Sequence, residues 1–321
     1  ALQSATTPNN NVAIGYQALQ FTTTSNNVAV GAESANYTTS GTNITAVGYA
    51  SLNQNTTGSS NTGLGKSALQ SNTTGFDNTA IGGNSLLNNV SGDCNTAVGK
   101  NSIRSNTTNE NTAVGHHAGY NNTTGLIDAF GALALQANTT GGSNVAVGKC
   151  SQYSNTTGIG NVAVGVLALQ ANSTGSRNVA IGQVALRCNT ADCNIAIGWK
   201  SLCLNTSGTL NTAVGTCALV NNTTGNNNVA IGLNSNYSNN TGDYNVSVGN
   251  CTLFQNTANY NVAVGYLSLL ANTTGENNTA VGSFSLNDSQ TGSNNTAVGY
   301  ASIYRNTTGC QNSALGFESM Y

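Results

Sequence analysis

The chain reads as all-β: a parallel β-solenoid (β-roll) of about 19 coils with 16–17 residues per coil. Three observations predict this. An N-x-A-[VI]-G segment recurs from end to end. Its closing glycine stands at Gly15, Gly31, Gly48, Gly65, Gly82, Gly99, Gly115, Gly131, Gly148, Gly165, Gly182, Gly198, Gly215, Gly232, Gly249, Gly265, Gly282, Gly299 and Gly316, every interval being 16 or 17 residues. Such a period is too short for a helical repeat, which needs ~33 residues for two helices and their turns. Finally, the segment is four residues rich in β-branched side chains and bounded by Asn and Gly, the signature of a short strand.

With the anchor glycine as position 5, each element can be taken in turn. Position 4 is Val or Ile in sixteen of nineteen copies, Leu64, Phe130 and Leu315 being the exceptions. Position 3 is Ala in seventeen, with Gly63 and Ser247 departing, and position 2 is mostly Thr or Val. Side chains on a strand alternate, so positions 2 and 4 share one face and position 3 takes the other. We expect the Val/Ile row and a mostly-Leu row at position 9 to point inward. The Ala row then presents a smooth, small-residue face that another chain could approach, the alternative being that it simply packs inside a narrow coil. Position 8, always Ala, Ser or Thr, precedes Leu in a second short extended segment. Nineteen rungs at ~4.8 Å make a rod of roughly 90 Å.

Position 12 is Asn in fifteen copies, usually as N-T-T-G, where Gly is expected to supply a left-handed turn. Four of the five 16-residue intervals carry Ser25, Asn109, Asp192 or Asn259 in place of that glycine. Length variation therefore belongs to this turn, and the strands keep register. Asn at positions 1 and 12 is expected to form amide ladders from coil to coil. One coil departs: Gly125–Gly131 lacks the position-1 Asn and carries Asp128 and Phe130, so Phe130 is expected to fill extra core volume.

The domain reading is a single continuous solenoid over 1–321, uncapped at both ends, because stacked repeats form one quasi-one-dimensional body. Ala1-Leu2-Gln3 and Ser319-Met320-Tyr321 both occupy positions 8 to 10, with Thr6-Thr7 in the turn, so the chain starts and stops mid-coil. An open solenoid end exposes unpaired backbone. Either subunits stack end to end, or this is a segment of a longer protein.

Composition narrows the function classes. Charged residues are 6% of the chain and the net charge is −2, which argues against nucleic acid, whose phosphates need clustered Lys and Arg. No apolar run approaches ~18 residues, so no membrane span is expected. No signal peptide is visible at the N-terminus.

Candidate chemistry is sparse. His116 and His117 sit at positions 6 and 7 of one coil, where strand alternation would point them apart, so no metal site is expected. No acid or base cluster suggests a catalytic groove, and no cofactor is expected. Cys188 and Cys193 flank one turn and are a candidate disulfide, with Cys203 as the alternative partner for Cys188. Candidate glycosylation sequons lie at Asn55, Asn72, Asn106, Asn122, Asn138, Asn155, Asn172, Asn205, Asn222, Asn272 and Asn306; the alternative is that N-T-T-G is simply good turn chemistry. The variable positions carry Tyr16, Tyr49, Trp199, Tyr266, Phe284, Tyr300 and Tyr304, candidates for assembly or ligand contacts.

The N-[TV]-A-[VI]-G-x-x-[AS]-L core, as in Asn161–Gly165 and Asn178–Gly182, resembles the head repeats of trimeric autotransporter adhesins and repeats of phage and viral tail fibres. The resemblance covers the full chain, although those head repeats are shorter and lack the N-T-T-G turn. It implies an extracellular, homotrimeric, adhesive fibre. The reading from the residues is a non-enzymatic structural subunit of an extracellular fibre or filament, associating end to end, laterally, or both. The alternative is an adhesin or tail-fibre head binding a cell surface or glycan. A lesser alternative is an ice-binding solenoid, from the Thr pairs at positions 13 and 14.

Overall fold

The computed structural model describes Leu2 and residues 9–320; Ala1, Gln3, Thr6, Thr7 and Tyr321, used above to place the chain ends, lie outside the described residues. Among the described residues there are nineteen strands of three or four residues and no helix, the strands running parallel in a β-solenoid of about 18 turns. The chain forms two compact units, Ala1–Gly160 and Asn161–Tyr321. The first carries β1 (Val12–Ile14) through β8 (Ile127–Phe130) and β9 (Asn144–Val147). The second carries β10 (Val162–Val164) through β19 (Ser313–Leu315).

Register is kept across both repeat lengths. Val12 pairs with Val28 over a 16-residue interval, and Thr62 pairs with Thr79 over 17. The turn absorbs the difference, as its sequence suggests. In the shortened turn after Asn106, the Thr108 carbonyl takes the part that a glycine carbonyl plays elsewhere, accepting from Asn106 Nδ2 (2.7 Å) and Asn95 Nδ2 (2.8 Å).

The polarity of the strand is the reverse of the expectation. Position-3 alanines such as Ala97, Ala180 and Ala213 are 0% exposed, whereas position-4 residues face outward, Ile14 at 60% and Ile197 at 37% exposure. Coil width explains the inversion. The small Ala at position 3 lies inside with the position-9 Leu row, and Leu69, Leu169 and Leu219 are fully buried there. A coil this narrow has room for one large side chain per rung, and position 9 supplies it. Each buried Leu contributes about 2 kcal/mol of apolar transfer.

The second extended segment is also absent, because positions 6 to 10 form turns. Left-handed residues recur there at positions 7 and 9, and again just before position 1, as at Ser67 (φ 55°), Leu69 (φ 52°) and Asp77 (φ 54°). An L-residue in this conformation costs about 1–2 kcal/mol. The offset is visible in the amides. Ser67 N donates back to Tyr49 O (2.9 Å), Leu69 N forward to Ser85 O (3.0 Å), and Asp77 N back to Ser59 O (3.2 Å). Reversing the backbone hand aims these N–H groups at carbonyls of the adjacent coils, so they are not buried unpaired.

The glycines divide into two kinds. Anchor glycines hold φ between 123° and 139°, a region closed to other residues. The turn glycines do not have a left-handed φ, contrary to expectation. They are small because coils touch there: a Cβ on Gly58 would run into the Gly75 carbonyl oxygen.

Asparagines form the polar half of the interior. Asn72 Nδ2 donates to Asn55 Oδ1 (2.8 Å) and to Gly75 O (3.0 Å). Position 1 makes a second ladder, where Asn78 N and Nδ2 both donate to Asn61 Oδ1 (3.0 and 3.2 Å). Each amide thus bonds one coil to the next, which makes register a property of the buried side chains as well as of the strands.

Irregular coils are handled locally. Phe130 does not fill the core; it is outward and 41% exposed. Ile127 fills it instead, 2% exposed, beneath Gly119, the position-9 residue of the preceding coil. In the second unit the apolar row is interrupted at Asn236, which replaces the position-9 Leu, and at Ser247, which replaces Ala. Ser247 Oγ bonds Ser235 Oγ, and Ser235 Oγ also contacts Thr252 Oγ1 (3.0 Å), making one polar patch inside the solenoid.

Candidate functional surfaces

Two surfaces stand out, one on the strands and one on the turns. The strand face follows from the inverted polarity. In β10–β19, positions 2 and 4 are Val, Ile, Leu, Thr or Ser in every rung, with no charged residue among them. In β1–β9 the corresponding rows contain one charge, Asp128. Ile81, Ile181, Ile197 and Ile231 are each exposed by more than a third. Hydrogen bonding between rungs keeps this face continuous within each unit.

The turn face carries the variable positions, and here the second unit has a trough of about 640 Å³. Its shape follows from side-chain length along one row. Position 10 reads Arg187, Cys203, Val220, Tyr237 and Phe254 in successive coils. Cys203 and Val220 are short and nearly buried, and they floor the trough. Arg187 stands at one end, and Tyr237 stacked on Phe254 (centroids 4.9 Å apart, 13°) stands at the other. Trp199 and Lys200 contribute from the position-6 and position-7 rows, with Lys200 Nζ 4.4 Å from the Trp199 ring centroid. Asn221 and Asn234 add amides. Burial raises the Cys203 thiol above its ordinary value, the neighbouring Cys188 adding to the shift.

Of the aromatic residues singled out from sequence, the structure brings four together. Phe284 meets Tyr266 (5.3 Å), Tyr300 (5.7 Å) and Tyr304 (6.4 Å), and Tyr300 also stacks on Phe317 (5.3 Å). Trp199 belongs to the trough, while Tyr16 and Tyr49 lie exposed in the first unit. Tyr237, Phe254 and Phe317 were missed by sequence reasoning. Their shared signal was available, since Tyr237 and Phe254 occupy the same position in consecutive coils and must stack at the rung spacing.

The histidines are not splayed apart. Residues 116–117 lie in a turn, with His117 left-handed (φ 57°), so the two rings stack at 4.0 Å. His117 Nε2 contacts Asn101 Nδ2 (2.9 Å), and its pKa is lowered by desolvation and then by His116 and Lys100. No third ligand joins them: among the described residues no group of three His, Cys, Asp or Glu could hold a metal.

All eight cysteines are free thiols, so neither Cys188–Cys193 nor Cys188–Cys203 is bridged. The backbone partners of Cys188 and Cys193 lie in different coils. Cys188 N donates to the following coil at Cys203 O (3.1 Å), whereas Cys193 N donates to the preceding coil at Ser176 O (3.0 Å).

The sequon asparagines are interior residues. Asn55, Asn72, Asn106, Asn122, Asn138, Asn155, Asn172, Asn205, Asn222 and Asn272 are 0% exposed, and Asn306 is half-buried. Their Nδ2 atoms donate to a carbonyl within the same turn, as Asn222 does to Gly225 O (3.0 Å) and Asn306 to Gly309 O (2.8 Å). The atom that would carry a glycan is already used to close the coil. The position-13 threonines are similarly engaged: Thr56 and Thr206 Oγ1 donate to the carbonyls of Thr73 and Thr223 one coil on (3.0 Å each).

Among the described residues no helix is long and apolar enough to cross a membrane. Comparison of the chain with protein-family models, with curated proteins and with solved structures gave no match.

Proposed function

We propose that the protein is a structural subunit of an extracellular fibre or filament and that it associates with copies of itself through the outward Val/Ile strand face. The observation that carries this reading is the pair of outward rows at positions 2 and 4 in β10–β19, all Val, Ile, Leu, Thr or Ser with no charge among them, joined rung to rung by parallel pairing. Ten rungs at ~4.8 Å make a strip about 45 Å long in the second unit alone. Continuous exposed apolar area of this kind marks an interaction surface. A second copy suits it because both rows repeat at the same rung spacing, so side chains of facing copies can interlock along the whole strip. The lateral partner meets Val and Ile, not the Ala row, which lies inside. A homotrimer, as the adhesin-head resemblance implies, and a pairwise filament both use this face.

Sedimentation velocity over a range of concentrations tests the reading. An associating species several times the 32.4 kDa chain is expected. A single 32.4 kDa species at every concentration would count against it.

A second reading, a fibre head that binds a cell surface or glycan, is favoured by the exposed rings and cations of the turn face. It does not compete with the first, because the strand and turn faces are separate.

A further inference from the structure

The trough on the turn face of the second unit is lined by groups that belong together chemically. Its charged side chains, Arg187 and Lys200, are both cations. The second unit has only four Lys or Arg residues (Arg177, Arg187, Lys200, Arg305) against five acids (Asp192, Asp243, Glu276, Asp288, Glu318). A unit with an excess of acid therefore puts half its cations and none of its acids around one depression. Lys200 is held there by the Trp199 ring, a cation–π contact that fixes the ammonium at the rim. Aromatic rings, one exposed and two half-buried, flank the cations. Trp199 is 45% exposed, and Tyr237 with Phe254 forms a stacked wall.

We propose that this trough binds an acidic oligosaccharide, a chain bearing carboxylate or sulfate groups. Sugar rings offer an apolar C–H face, which lies flat on aromatic rings, and an equatorial edge of hydroxyls, which amides bond. Trp199, Tyr237 and Phe254 supply the first need, and Asn221 and Asn234 the second. Arg187 and Lys200 take the acidic groups; Arg does so with a bidentate fork, Lys as a point charge. The shape agrees. The floor of Cys203 and Val220 spans two rungs, so Arg187 and Tyr237 are separated by three rung spacings, about 14 Å along the solenoid axis. That is an elongated, open trough, suited to a segment of a chain more than to a compact molecule. Its 640 Å³ falls within the ~300–1,000 Å³ of small-ligand sites.

The chain has one tryptophan, Trp199, so intrinsic tryptophan fluorescence reports on this trough and on no other part of the molecule. The full chain is titrated with three probes: a heparin hexasaccharide, an oligogalacturonate hexamer and neutral maltohexaose. A saturable fluorescence change with either acidic probe, at least tenfold weaker with maltohexaose, is expected. The sulfated and carboxylated arms then distinguish which acid group is taken. R187A/K200A is expected to weaken binding tenfold or more, while K66A/K149A, which removes two cations from the first unit, leaves it unchanged. Tyr237→Ala, followed by calorimetry, separates ring stacking from charge and should weaken binding severalfold, with circular dichroism confirming an unchanged fold. The proposal is overturned if no probe gives a saturable response, if maltohexaose binds as well as the acidic probes, or if the K66A/K149A control loses as much affinity as R187A/K200A. None of these outcomes depends on whether the subunits assemble through the strand face.

Discussion

Ile127 occupies the core space that Gly119 leaves empty: a Cβ built on Gly119 would lie 2.5 Å from Ile127 Cδ1. Position 9 is mostly Leu, and position 1 is otherwise Asn except at Ile44. The two exceptional isoleucines coincide with the two smallest position-9 residues, Ala35 before Ile44 and Gly119 before Ile127. Both isoleucines are buried in the same apolar cluster as Ala35. In these two coils the large apolar side chain that position 9 usually supplies is delivered from the other wall.

This relationship predicts strong coupling. Gly119→Leu alone should destabilise the protein by overpacking, by about 1–3 kcal/mol or more. Ile127→Asn alone should leave a cavity beneath Gly119 and cost about 2–5 kcal/mol. The double substitution restores the common Leu/Asn pairing and should recover at least ~1 kcal/mol relative to the sum, read from denaturant unfolding. Additive effects would mean that the two residues do not share one space.

Glycine substitutions should separate sharply by position. Gly215 has φ 134°, and an added Cβ would lie 2.5 Å from the Gly232 carbonyl oxygen, so Gly215→Ala should cost about 3 kcal/mol or more. Gly83 has no such φ, and its nearest neighbour would be Lys66 O at 3.9 Å, so Gly83→Ala should change stability by no more than about 0.5 kcal/mol. Thermal melts of the two variants decide the matter.

The Asn ladder should be structural. Asn72→Ala removes donors from Gly75 O and Asn55 Oδ1 and the acceptor of Asn89 Nδ2 (3.1 Å). Each buried group so stranded costs about 1–3 kcal/mol, and the loss should appear as a lower unfolding midpoint. A replacement at Thr74, the exposed residue of the same turn, should leave that midpoint within about 0.5 kcal/mol of the parent.

Much of the fold was legible because repetition converts one local pattern into nineteen copies. Coil length, strand position, register, the Asn ladders and the inward Leu row were all readable from spacing. Which strand face points inward was not. Alternation places Val and Ala on opposite sides but does not say which is the inside, and hydrophobicity alone favours the larger residue. The narrowness of the coil decides for Ala, and that depends on the left-handed residues at positions 7 and 9, which ordinary side chains such as Ser67 and Leu69 do not advertise. The trough was legible in its parts, Trp199 above all. Its floor depends on two short residues, Cys203 and Val220, that matter only because of their neighbours in adjacent coils.

The inside–outside assignment and its use for assembly meet in one variant, V164K/I197K/I231K, which puts charges on alternate rungs of the second unit's strand face. Sedimentation velocity, with a circular dichroism melt on the same sample, is the direct measurement. The account predicts a folded protein whose melt stays close to that of the dissociated parent and whose self-association is lost. A variant that fails to fold would contradict the outward placement of Val164, Ile197 and Ile231. One that folds and associates like the parent would contradict the strand face as the contact between copies.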